Sequence, residues 1–253
     1  MEMAHAQPVQ ADKETPKALD IREKGGPKDG QTQYSDRRLF MQLQAFGDCG
    51  DPKSLGPALA EAGIEAVVYA DLADPKGAAV LAVSEDPNLF VTKLREAFNR
   101  WPFDNLSLKP EYTMIGRTYS LGYEPNLEDW LLRRPKRVIM DRQWPWAVWY
   151  PLRRTGAFAK LSHQEQGQML KEHGIIGRSF GDAELAQDIR LACAGMDKND
   201  NDFVIGLIGK DLYPLSALVQ SMRATRQTSE FIQSMGPFFV GRALWQSELS
   251  KSS

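Results

Sequence analysis

The sequence predicts an α+β protein made of two ferredoxin-like βαββαβ modules, combined as in a dimeric α+β barrel. Two observations point to this class. The same order of strand and helix signals occurs twice along the chain. The apolar residues of the main strands alternate with period two, as antiparallel strands with distinct faces require.

Residues 1–35 carry Lys, Glu, Asp, Gln, Gly and Pro with hardly an apolar cluster. Such a segment cannot offset its ordering entropy and reads as a disordered tail. The first module, 36–135, opens with a strand at 38–46, then a helix at 54–62 and strands at 66–72 and 78–83. A long helix at 87–101 and an extended run at 112–123 complete it. A connecting stretch holds a short helix at 126–133 and the basic segment Arg133-Arg134-Pro135-Lys136-Arg137. The second module, 136–253, repeats the order: a strand at 146–154, a helix ending at 173, and strands near 185–194 and 203–208. It closes with a helix from 214 to about 232 and a strand at 238–244.

Composition narrows the function. The 253 residues are 42% hydrophobic and 25% charged, with a net charge of −2, so the core is substantial and no global basic field recruits nucleic acid or anionic membrane. Neither a nucleic-acid partner nor membrane insertion is expected. Cys49 and Cys193 lie far apart without a CxxC, which suits reduced thiols. The first residues lack the apolar core of a signal peptide, so a cytoplasmic location is expected.

Two constellations stand out. Ser162 and Glu165 form a capping box, and Gly174 supplies a terminator, so a helix is predicted to stop with His173 on its last turn. Only His5, His163 and His173 occur, which excludes a cage of several histidines, whereas a lone imidazole suits the axial ligand of a haem iron. On spacing alone, the ordinary reading of His173 is a histidine favoured by the helix dipole. In the strand 146–154, alternation puts Trp146, Val148, Tyr150, Leu152 and Arg154 on one face, with Trp149 and Arg153 on the other. That face fits a large aromatic ligand bearing carboxylates, which Arg154 grips bidentately, although aromatic strands are ordinarily core.

Four motifs in order, Tyr150-Pro151-x-x-Arg154, His173-Gly174-Ile175-Ile176-Gly177-Arg178, Leu185-Ala186-Gln187-Asp188-Ile189 and Gly236-Pro237-Phe238-Phe239-Val240-Gly241, resemble the chlorite dismutase superfamily. The likeness is nearest to its coproheme decarboxylase branch, strong over 146–244 and weaker over 38–123. The resemblance implies haem in the second module, with His173 as the iron ligand, Tyr150 as the tyrosine that becomes a radical, and Gln187 as the distal residue. It also implies that Arg154 and Arg137 hold propionates, with Leu152 on the apolar wall and Tyr119 or Tyr123 as a further contact. The spacing from His173 to Gln187 is one residue longer than the family pattern. A bulge would keep Gln187 facing the iron, and a regular strand would present Asp188 or Arg190 instead. The stretch 222–229 is basic and polar where chlorite dismutases place a carboxylate against the iron-binding histidine.

The implied reaction is peroxide-dependent decarboxylation of iron-coproporphyrin III (coproheme) to haem b, in a homopentamer. Its substrates are coproheme and hydrogen peroxide. Two other readings stay open: a chlorite dismutase or weak haem peroxidase, which a distal Arg190 would favour, and a non-catalytic haem-binding homologue.

Overall fold

The computed structural model describes residues 19–249. It opens with a hairpin, Glu23–Lys28 (β1) and Gln31–Ser35 (β2). Asp29 and Gly30 join the strands with φ of 52° and 78°, the positive values a two-residue I′ turn demands. This corrects the expected tail: residues 23–35 are ordered by a strong local turn, while 1–18 lie outside the described residues. The Gln33 amide clamps the hairpin down, donating to Gly26 O at 2.8 Å and Glu124 O at 3.1 Å.

The first βαββαβ unit follows as Phe40–Gly47 (β3), Leu55–Glu61 (α1), Ala66–Asp71 (β4), Ala78–Ser84 (β5), Asn88–Val91 (α2), Lys93–Phe98 (α3) and Ser107–Thr118 (β6). The single helix expected at 87–101 is broken at Thr92, whose φ of −118° and ψ of −95° leave helical space. The last strand comes several residues earlier than the extended run expected at 112–123.

A π-helical turn at Asp129–Arg133 then runs into Arg134–Ile139 (α4), so a helix spans the division expected between 135 and 136. The second unit comprises Trp146–Arg154 (β7), Gly156–Ala159 (α5), His163–Asp182 (α6), Gln187–Ala192 (β8), Phe203–Gly209 (β9), Leu212–Arg223 (α7), Arg226–Phe231 (α8), Ile232–Met235 (β10) and Phe239–Gln246 (β11). The helix expected over 214–232 is thus two helices, with Thr225 as N-cap of the second.

Strand order is β4-β5-β3-β6 in the first unit and β8-β9-β7-β11 in the second, the same ferredoxin-like order twice. The last strand of each unit pairs antiparallel with the second strand of the other, β6 with β8 and β11 with β4. The eight strands therefore close into a barrel. All eight send side chains to one interior core, including Met41, Leu43, Tyr69, Leu81, Met114, Trp149, Ile189, Ile208 and Phe239. Outside it, α1 and α3 cover one apolar face with Leu55, Leu59 and Leu94. On the other outer face, α6 and α7 lie over Val148, Tyr150 and Leu207. The expected α+β class and repeated modules are what the chain forms. Among the described residues, no helix is long and apolar enough to cross a membrane.

Candidate functional site

The site is built where α6 crosses the outer face of β7, β8 and β9. Strand alternation sends Ala147 and Trp149 into the barrel, while Trp146, Val148, Tyr150 and Leu152 pack outward with Ile176 and Phe180 of α6. The face read from β7 is thus the one that α6 covers. Tyr150 is buried there, its ring stacked on Phe238 with centroids 4.5 Å apart. Burial raises its phenol well above the usual range, Asp188 adds to the rise, and Arg223 opposes it.

The helix that carries His173 has the expected capping box at Ser162 and Glu165, but it does not stop at Gly174. It runs through Gly174 to Asp182, so His173 sits mid-helix. The cost of an interior glycine, about 1 kcal/mol, is outweighed by Ile176 and Phe180, which are anchored on the sheet one and two turns later. The terminator is Glu184, whose φ is 52°. Leu185 N–H returns to Phe180 O at 2.9 Å and Glu184 N–H to Gly181 O at 3.0 Å, a Schellman closure without glycine.

His173 is half-buried and its Nδ1 is sealed from solvent with no hydrogen-bond partner. Burial lowers its pKa, and the fields of Arg190 and Arg154 lower it further against Asp188 and Glu172. The imidazole is therefore kept neutral, the form that binds metals. Arg154 lies between two rings, 4.4 Å from the Phe158 centroid and 4.6 Å from that of Phe203, and its Nε has no partner. Burial lowers its pKa as well, with Tyr119 and Asp202 opposing. Tyr119 packs on Phe203 at 5.6 Å; burial raises its pKa, while Arg190 and Arg154 pull it down. Leu152 is half-buried at the rim of the same apolar cluster.

Strand β8 settles which phase faces α6. Its ladder with β9 runs from Gln187↔Ile208 to Ala192↔Phe203 without a bulge. Arg190, Ile205 and Tyr150 therefore form one row across the outer face, while Ile189 and Leu191 enter the barrel. Gln187 falls in the opposite phase, so Asp188 and Arg190 stand on the Tyr150 face instead. Asp188 Oδ2 forms an ion pair with Arg190 Nε at 3.1 Å, and its Oδ1 accepts from Arg134 Nη2 at 3.2 Å. Both guanidiniums lie over the Trp130 ring, at 4.9 Å for Arg134 and 5.2 Å for Arg190.

Arg137 is not brought to this cluster. It points away on α4 and pairs with Asp129 at 3.0 Å, which raises its pKa. Arg134, one turn earlier, is the cation of that basic segment that reaches the site, donating to Asp188 O at 2.9 Å and Gln187 Oε1 at 3.2 Å. The basic segment was visible in the sequence, but only its helical phase selects Arg134. Tyr123 is 69% exposed, so Tyr119 is the tyrosine of that pair that joins the cluster.

The donors fit an iron porphyrin carrying carboxylates. A neutral imidazole could offer its other ring nitrogen, Nε2, to an iron, and an aromatic-clamped guanidinium with a free Nε suits an anion. Among the described residues, no group of three or more His, Cys, Asp or Glu could hold a bare metal ion.

The sequence model of the family described as "Chlorite dismutase" matches residues 79–244. The chain belongs to this family. Over 88 residues it is 38% identical to a candidate heme-binding protein of Haloarcula marismortui, a match covering 35% of the chain and only 12% of that protein's length. A novel heme-binding protein from Thermus thermophilus superposes with a TM-score of 0.63 at 17% identity, over 82% of this chain and 91% of the other. The chlorite dismutase from Candidatus Nitrospira defluvii in complex with imidazole gives 0.64 at 13% identity, over 83% and 92%. At such identities these structures establish the shared fold.

Proposed function

We propose that this protein binds iron-coproporphyrin III and decarboxylates it with hydrogen peroxide to haem b. The observation that carries the reading is the convergence, beside one sheet face, of a neutral imidazole, a clamped guanidinium and an oxidisable phenol. Family membership and the two relatives named for heme binding support the porphyrin. His173 would hold the iron, and Arg154 a propionate, which fixes geometry more than it supplies bond-making chemistry. When bound, the iron porphyrin supplies, with peroxide, the oxidising equivalents. Tyr150 keeps its proton because burial disfavours the phenolate, so oxidation removes electron and proton together. The resulting tyrosyl radical can take hydrogen from a propionate carbon. Each propionate loses carbon dioxide, a proton and two electrons to become a vinyl group, and one peroxide accepts those electrons as it becomes two waters. A ring of five subunits is the assembly that goes with this reading, and analytical ultracentrifugation tests it.

The decisive experiment is a peroxide titration of the protein loaded with coproheme, followed by mass spectrometry of the porphyrin. Stepwise loss of two carbon dioxide molecules is expected. A porphyrin that bleaches without losing mass would overturn the reading.

Arg190 on the outer face favours a second reading, chlorite dismutation or weak peroxidase activity, because a cation there would hold an oxyanion. Its pairing with Asp188 at 3.1 Å weighs against a free cation. Rapid oxygen evolution from chlorite by the haem b complex, abolished in Arg190→Gln, would decide for that alternative.

A further inference from the structure

His173 Nδ1 and Gln227 Oε1 are each buried without a hydrogen-bond partner. The two atoms are complementary. An imidazole that binds metal through Nε2 carries its hydrogen on Nδ1, and an amide oxygen can only accept.

Helix packing sets these two residues opposite one another. Helices α6 and α8 meet where Met169 and Phe231 share an apolar cluster with Phe158. They meet again where the Arg226 backbone N–H donates to Glu172 Oε2 at 3.3 Å. Position 169 thus faces 231 and 172 faces 226, so the helices run antiparallel. Residues four apart share a helix face. His173, four after Met169, and Gln227, four before Phe231, therefore lie on the two facing surfaces. Gln227 is buried, although its neighbours Arg226 and Thr228 are not. The nearby charges are engaged elsewhere: Glu172 accepts from Arg226 N, and the Arg226 guanidinium binds Glu230 at 3.0 Å.

We infer that Gln227 is the positioning residue for His173, its side-chain oxygen accepting from Nδ1–H so that Nε2 is presented to the porphyrin iron. This rests on the haem reading above. A neutral acceptor orients the ring while lending it less electron density than a carboxylate would, which leaves the ferric iron easier to reduce.

The test compares wild type, Gln227→Leu and Gln227→Glu in two states. In the ligand-free protein, ¹⁵N NMR reads the His173 tautomer. The Nδ1–H form is expected in wild type, with a shift toward Nε2–H in Gln227→Leu. In the ferrous coproheme complex, resonance Raman reads the iron–histidine stretch. It should fall in Gln227→Leu and rise in Gln227→Glu, whose reduction potential should also become more negative. A complex with the same stretch in all three proteins and an unchanged tautomer overturns the pairing and leaves the haem reading standing. A tautomer that depends on Gln227 in a protein that never ligates iron keeps the pairing and removes the haem reading.

Discussion

His173 is half-buried and Tyr150 buried on the same side of the barrel, and desolvation favours the neutral form of each. The imidazole keeps a lone pair and the phenol keeps a hydrogen atom. His173→Ala should therefore abolish the histidine-ligated ferric spectrum of the coproheme complex, while His163→Ala, exposed at the start of α6, should leave it intact. Tyr150→Phe retains the ring stacked on Phe238, so the porphyrin should still bind. Peroxide should then release no carbon dioxide, which headspace gas analysis would measure. A third buried group gives a pH dependence. The Cys193 thiol donates to Asn201 O at 3.1 Å, and burial pushes its pKa from 9.0 up to about 12. The unfolded chain gives up this proton first, so the contribution is complete below the unfolded value and is lost as pH rises through the folded one. Urea midpoints should fall less steeply from pH 9 to 12 in Cys193→Ala than in wild type.

Element by element, what was legible in the sequence was what short-range chemistry controls. The β7 strand matches its predicted span, and the capping box of α6 is formed as read, with Ser162 Oγ accepting from Glu165 N–H at 3.3 Å. Ser162→Ala should cost about 1 kcal/mol, read from thermal or urea unfolding of the ligand-free protein. The misplaced features were decided by partners distant in sequence. Gly174 looks like a terminator locally, yet the sheet beneath Ile176 and Phe180 holds the helix together. Gln187 looks distal by motif, yet the unbroken β8–β9 register sends Asp188 and Arg190 to the site face. The β1–β2 hairpin is the exception, since Asp29-Gly30 is a local turn signal set in a segment whose polarity reads as a tail. Gln227 carried no signal of its own. Only the antiparallel packing of α8 on α6 makes it stand out from the polar stretch around it.

At the scale of the whole molecule, the barrel closes along two seams of unequal strength. Between β4 and β11 the ladder extends from Gly241↔Asp71 to Gln246↔Val67. Between β6 and β8 it comprises Arg117↔Ala192 and Thr118↔Leu191 alone. Here Gly116 allows the close approach, since a Cβ at that position would lie 2.7 Å from Leu191 Cβ. Hydrogen exchange should accordingly reach amides at the end of β6 and in β8 before those of β3 and β5, whose ladder is continuous. Equal protection across both regions would remove the idea of a weak seam.

The exchange of last strands between the two halves has a consequence for what each half is free to become. Two identical copies related by symmetry would have to carry the same residues on both outer faces, so every pocket would be made twice. Joining the halves in one polypeptide lifts that requirement. The first outer face is sealed dry by Leu55, Leu59 and Leu94, all essentially inaccessible. The second keeps guanidinium, carboxylate, imidazole and phenol beside its apolar wall. One half can thus serve as ballast while the other half drifts toward chemistry, and a substitution that improves the reactive side need not be repaid by damage on its twin.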